Sequence, residues 1–283
     1  MTIQPITLKL VVDNRMIAPL ETFLEAAQAT TRERLLAKKI RPFQNQIAGH
    51  FRKQGKDFLR YLKTIKPIID ANAIQESISE SDWRPYWELA ARSSFDAFAS
   101  DVGEAILLAM ILGGEQLFET VGTDAGEIGV SWNLRNPRAV MYSEQHAAAQ
   151  VTRINDTTRA YLNSLISNAT AEGMSYTRLA KAIEEKFEWF ATGGDNPRSR
   201  RIAVYELGDA YEAGNEVAAQ EMESAGLKME RKWITVGDDR VRPSHRDSQA
   251  EGWQPLDHVF ASGAKRSPTD SGCRCVMIYR RKK

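Results

Sequence analysis

For most of this chain the apolar residues return every three to four positions, and after Gly226 they stop doing so. That spacing keeps one face of a helix apolar, so the first four-fifths can bury itself only as packed helices. Ile40, Phe43, Ile47, Phe51, Phe58, Leu62 and Ile65 form one such stripe. Pro42 is expected near the start of that helix, because a proline is tolerated in a first turn, and Pro67 is expected to end it. Lys53, Lys56, Arg60 and Lys63 fall largely off the stripe. They read as the solvated side of a bundle helix rather than as a dedicated DNA-binding face.

A second helix is predicted over about 82–112, with Trp83, Tyr86, Trp87, Phe95, Phe98, Val102 and Ile106 in the core. Such an aromatic cluster is packing, not a cofactor box. Gly113-Gly114 is expected to break it, and Gly122, Gly126 and Gly129 to keep the chain loose up to Val130. This places a boundary between about 113 and 143, with a helical N-terminal region at 1–130 and a second region at 131–283. The second region is expected to open irregularly around Pro137. A helix follows over about 143–169, with Val151, Ile154, Tyr161, Leu165 and Ala169 on one face. Ser175 should cap the next, where Leu179, Ile183 and Phe187 repeat every fourth residue. Asp195 or Asn196 should cap a further helix, with Pro197 at its first position, running to about Ala225. Then the pattern changes. Residues 227–236 predict a strand with Met229, Arg231, Trp233 and Thr235 on one face, 237–246 a polar loop, and 273–280 a second strand. The fold class is α+β: a mainly helical N-terminal half, then helices with a small antiparallel β element.

Composition narrows the function. With 283 residues and 42% apolar content, the chain can fill a real core. The longest apolar run, Ala105–Leu112, is far short of the roughly 20 residues a membrane span needs. Asp13, Asn14 and Arg15 interrupt any signal-peptide core, so no membrane partner is expected. The net charge of +1 hides an uneven layout. Residues 1–66 hold 13 Lys/Arg against 5 Asp/Glu, and residues 228–283 hold 13 against 7, while 67–143 hold 4 against 12. Basic ends around an acidic middle suit DNA, an acidic partner or self-association, or are simply solvated faces.

Most of the chemically unusual residues sit in the last fifty. His245, Cys273 and Cys275 could ligate zinc, with Asp247, Asp257 or His258 as a fourth ligand. Cys-x-Cys is not the common zinc spacing, however, and the expectation is no cofactor, with buried thiols and a hydrogen-bonded histidine. A disulfide between residues two apart would be strained, and the absence of any long-loop pair reads as a reducing compartment. Glu206, Arg242, His245 and Asp247 could form an acid–base and phosphate-binding group, as in a nuclease or toxin-like transferase. No phosphate-cradling glycine loop and no recognised nucleophile or metalloprotease motif accompanies them, so no enzyme activity is expected.

Order and spacing over about 131–280 resemble a known family. The stretch "NLRNPRAVMYSEQHAAAQVTRINDTT", then "EGMS", then "IAVYELGDAYEAGN" and finally "KWITVGDDRVRPSHRDSQAEGWQPLDHVF" with "SGCRC" are similar to the Mu F-type head-morphogenesis family of phage minor head proteins. Ala203, Glu206, Ala210, Tyr211 and Gly214 fit its helix motif, although Val204 and Tyr205 replace the usual Arg-Thr. Trp233, Asp239, Arg240, Arg242, His245, Gly252, Phe260, Cys273, Arg274 and Cys275 fit its ending, although "SPTDSG" departs from the usual Pro-x-x-Pro-Asn. The resemblance implies a low-copy minor capsid protein of the virion, associated with the portal inside the phage head and made in the host cytoplasm. Its partners would be the portal, the major capsid and scaffold proteins, and double-stranded DNA. It would act in capsid assembly, DNA packaging and DNA ejection. Trp233, Asp239, Arg240, Arg242, His245, Cys273, Arg274 and Cys275 would then be structural, with the arginines holding several acceptors each and the histidine, Asp239 and thiols locking a small hairpin.

Overall fold

The structure is a computed structural model that describes residues 14–66, 79–127, 132, 136–270 and 272–282. Five helices come first: α1 (Asn14–Leu62), α2 (Glu80–Glu127), α3 (Pro137–Ala171), α4 (Tyr176–Thr192) and α5 (Arg198–Ser224). A short tail follows, with β1 (Met229–Ile234), α6 (Pro243–Ala250), β2 (Trp253–Pro255) and β3 (Val276–Arg281). The three strands form one antiparallel sheet in the order β2-β1-β3, with Trp233 opposite Met277 and Ile234 opposite Val276. The α+β class read from the residue pattern is what the chain adopts.

The stripe on α1 is buried as expected at Phe43, Ile47, Phe51, Phe58 and Leu62, while Lys53, Lys56, Arg60 and Lys63 face water. Phe58 meets the rings of Trp83 and Trp87 on α2 nearly edge-on, at 6.1 and 6.0 Å. Three local expectations need correction. Pro42 lies inside α1, not near its start. Pro42 and Lys38 are both exposed, so the carbonyl that loses its helical donor can bond to water instead. Pro67 lies outside the described residues. Gly113-Gly114 does not end α2, which runs on to Glu127. Pro137 begins α3 rather than an irregular stretch. The Asn136 side chain accepts from the Arg138 and Ala139 N–H groups at 2.9 and 3.3 Å, which makes Asn136 the cap and proline the first helical residue.

Smaller differences follow from packing. Tyr161 is exposed, and its neighbour Leu162 takes the core position on α3. Pro197 itself occupies the position before α5, where a cap by Asp195 or Asn196 was expected. The stretch expected to be polar loop turns helical at Pro243. The three-residue strand β2 is too short to leave a period in the sequence.

The glycines explain why α2 continues. A Cβ on Gly113 would sit 2.0 Å from the Tyr211 carbonyl oxygen of α5, and one on Gly214 would sit 2.0 Å from the Met110 carbonyl oxygen of α2. The two helices thus cross backbone to backbone, each supplying a glycine at the contact. Helix α5 also packs against α1, α3 and α4 and against β1 and β3. One apolar core joins residues of α1 to α5, from Leu36 to Ala213. A second joins the ends of α2 and α5 to Trp233, Phe260, Cys275, Met277 and Tyr279 of the tail.

Adding a methyl at the crossing should therefore be costly. Gly113→Ala and Gly214→Ala should each lower the unfolding free energy by about 2 kcal/mol or more, because backbone carbonyls must move. Gly49→Ala on exposed α1, where a Cβ meets nothing within 4 Å, should stabilise by about 0.5–1 kcal/mol. Denaturant unfolding of the three variants tests this, and equal effects at all three positions would contradict it.

Candidate functional site

The tail is a strand, a charged bend and a return strand, closed on one histidine. Pro243 opens α6, and Arg242 before it is extended, as a residue preceding proline must be (φ −61°, ψ 145°). This start places His245 in the first turn of α6, where it is buried between β1 and the head of β3. Trp233 of β1 lies tilted against the His245 ring at 5.3 Å and against Phe260 at 5.5 Å. Gln249 of α6 accepts from both the N–H and the hydroxyl of Thr235, each at 2.7 Å, so the helix is stapled to the end of β1.

Asp270 shapes the return. Its carboxylate accepts from Gly272 N–H at 2.9 Å, the Thr269 hydroxyl at 3.1 Å and Arg242 at 2.9 Å, and its carbonyl accepts from Cys273 N–H. These bonds hold its carboxyl below the usual carboxylate range against the pull of burial. The turn delivers both sulfurs to one ring nitrogen: Cys275 Sγ lies 3.4 Å and Cys273 Sγ 3.7 Å from His245 Nδ1. The Cys273 thiol is held below its ordinary pKa, chiefly by its hydrogen bond with Cys275, and Cys275 is correspondingly raised. Both cysteines are free thiols. Across the bend, Arg274 pairs with Asp238 at 2.7 Å, and Arg246 donates to the Asp238 and Asp239 carbonyls.

Trp233, His245, Cys273 and Cys275 thus form one cluster, and Arg240, Arg242 and Arg274 stand around it. Those three arginines, the histidine and both cysteines line a cleft of about 430 Å³, with Arg200 and Arg201 of α5 on its far wall. Asp238, not Asp239, takes the partner Arg274, so the acid that sequence reasoning singled out contributes its backbone carbonyl. The acid–base group does not assemble in one place. Glu206 lines a neighbouring cleft and lies 3.1 Å from His146 Nε2. Asp247 is exposed on α6 and lines neither cleft. Of the proposed fourth ligands, His258 pairs with Glu251 at 2.5 Å, and Asp257 is exposed.

Sequence reasoning missed a row of acids on α5, three of them buried and the last partly buried. Glu206, Asp209, Glu212 and Glu216 recur every three to four residues, the helical spacing that was read only for apolar residues. Asp209 pairs with Arg266 at 2.5 Å and accepts from Tyr142 at 2.9 Å. Glu212 lies 3.1 Å from Arg32 and accepts from Met277 N–H of β3 at 3.3 Å. Glu216 pairs with the buried Arg231 of β1 at 3.1 Å and with Arg266 at 3.2 Å. Burial pushes Glu212 up to about 7, although Arg32 pulls the other way. Burial also raises Glu206, against the hydrogen bond from His146.

A bundle clamped by a three-stranded tail through such a row, with a His/Cys/Cys cluster at the tail's closure, is the class of protein these observations define. Residues 160–278 match the family described as Phage Mu protein F like protein, so this segment is similar to the phage Mu F-like family. The match contains the whole closure from Trp233 to Cys275. It begins at 160 rather than at about 131, so "NLRNPRAVMYSEQH" lies outside it. No curated protein and no solved structure matches the chain.

Glu212 gives a pH test. Folded, it keeps its proton up to about pH 7; unfolded, it loses it near 4.5. Between those values the folded chain binds more protons, so stability falls as pH rises, by up to about 1.4 kcal/mol per pH unit. The unfolding midpoint should drop from pH 5 to pH 7, and Glu212→Gln should flatten that slope. Glu206, shifted in the same direction, leaves a residue of it. An unchanged slope in Glu212→Gln would contradict the assignment.

Proposed function

We propose that this chain is a phage head-morphogenesis protein: a minor head protein of the virion that associates with the portal and works without catalysis. The observation that carries the reading is the family match over 160–278, which falls on the segment that the tail closes into one unit. The closure supports a structural role. His245 is buried and bounded by Trp233, Thr269 and two thiols, while Glu206 lines a different cleft and Asp247 lines neither. A side chain held this way braces a hairpin better than it serves a substrate.

In this reading the protein joins the head during assembly in the host cytoplasm, through the portal and with the major capsid and scaffold proteins. It stays inside the head during packaging and meets the DNA on ejection. The arginine-lined cleft supports contact with double-stranded DNA, since neutralised phosphates give binding that needs no base sequence and weakens with salt. Arg242 and Arg274 are already paired with Asp270 and Asp238, which leaves Arg240 and, on the far wall, Arg200 and Arg201 to meet phosphate. Among the described residues no helix is long and apolar enough to cross a membrane.

Fractionation tests the proposal. The tagged full chain is co-expressed with the portal, major capsid and scaffold proteins of its own phage, and heads are separated on a gradient. The chain should travel with portal-bearing heads at low copy and be missing from heads assembled without portal. A chain that stays in the soluble fraction beside complete heads would overturn the reading.

A further inference from the structure

The closure of the tail contains a histidine whose two ring nitrogens face different partners. The Thr269 hydroxyl donates to the Asp270 carboxylate at 3.1 Å, so its oxygen is left to accept from His245 Nε2, 3.3 Å away. That bond places the ring proton on Nε2 and leaves a lone pair on Nδ1. Nδ1 is the atom on which both sulfurs converge, at 3.4 and 3.7 Å. One lone pair can accept one S–H, so Nδ1 can bond only one of the two sulfurs; the other sulfur is linked to the first by the hydrogen bond between Cys273 and Cys275, yet both lie within reach of the same ring nitrogen.

A cation at the centre accounts for both. With Zn–S of about 2.3 Å and Zn–N of about 2.0–2.1 Å, a tetrahedral ion holds N and S roughly 3.5 Å apart and two sulfurs roughly 3.8 Å apart. The two N···S separations straddle that value, and all three atoms lie within 4.8 Å of one another. The Nε2–Thr269–Asp270 relay is the outer-shell support that a ligating histidine needs to keep its tautomer and ring angle. Two thiolates also offset the charge of a divalent ion beside an arginine-rich wall. One imidazole and two sulfurs in this arrangement suit zinc rather than magnesium or calcium, which take oxygen.

We infer that His245, Cys273 and Cys275 bind one zinc ion through Nδ1 and two thiolates, with its fourth position filled by water from the arginine-lined cleft. Among the described residues no fourth protein ligand joins the group. The ion ties the first turn of α6 to the head of β3, across a loop of more than twenty residues. It thereby supplies cohesion to a tail too small to gain it from apolar burial alone. The inference rests on the geometry of the tail and not on the head-assembly reading. A chain that joins heads without metal sinks this inference alone.

The test uses the full chain purified from zinc-supplemented cells and exchanged into metal-free buffer. Elemental analysis should find about one zinc per chain, falling to near zero in Cys273→Ser and in His245→Gln. Cobalt exchange on the wild-type chain covers the case in which a variant fails to fold. It should give thiolate-to-metal charge-transfer absorption with the visible bands of a tetrahedral ion. Chelator should remove the metal and expose both thiols to a thiol reagent together. The inference is overturned if zinc-supplemented wild type carries no metal and shows no such absorption with cobalt. It is equally overturned if the Cys273→Ser/Cys275→Ser double variant retains zinc at the wild-type level.

Discussion

The pairing of four acidic side chains on α5, three of them buried and Glu216 partly so, with basic groups from elsewhere in the chain is the contact on which the rest of the structure depends. Glu206 meets His146 of α3, Asp209 meets Arg266, Glu212 meets Arg32 of α1, and Glu216 meets Arg231 of β1. Taking a carboxylate out of water costs several kcal/mol, and a partner recovers that cost only with good geometry. Leaving one such charge alone is worse, by roughly 3–5 kcal/mol. Each pair is therefore weak as a source of net stability and strong as a constraint on arrangement. Any packing that moved α1, α3 or the tail off α5 would strand a buried charge. Apolar burial drives the collapse, and the charge row selects which collapsed arrangement survives.

Seen from α5, the tail is a lid held through two of its strands. Met277 N–H of β3 donates to Glu212, and Arg231 of β1 reaches Glu216, so the edge strand β3 and the central strand β1 are each anchored to the bundle. On the other side of β1, the bend, α6 and the turn at Asp270 close on His245. The Mu F-like match covers α4, α5 and nearly all of this tail, and so contains two of the four ion pairings, Asp209 with Arg266 and Glu216 with Arg231, while omitting Arg32 and His146. The motif residues read as scaffolding because their contacts are with one another: Arg274 with Asp238, Arg242 with Asp270, and Trp233 with His245 and Phe260.

Much of the fold was legible in the residue order, and the misses share a physical cause. Phe43, Ile47, Phe51, Phe58 and Leu62 announced their helix because periodicity is local. So did Met229, Arg231 and Trp233 for β1. Pro42 and Gly113 misled because their local penalties are met from outside the segment, by water at one and by the backbone of α5 at the other. The site was legible in part for the same reason. His245, Cys273 and Cys275 stood out as rare residue types, and the structure brings them together. Arg32, Arg231 and Arg266 carry no such mark. Their partners on α5 are spaced as a stripe and could have been noticed, but which cation meets which acid is decided by tertiary packing.

The central claim is that α5 binds the other helices and the tail into one cooperative body. Scanning calorimetry of the full chain tests it most directly, by comparing the measured heat of unfolding with the heat implied by the width of the transition. The account predicts a single transition in which the two agree, and one that remains single as pH is varied from 5 to 7. Two separated transitions, with the tail melting ahead of an intact bundle, would contradict it.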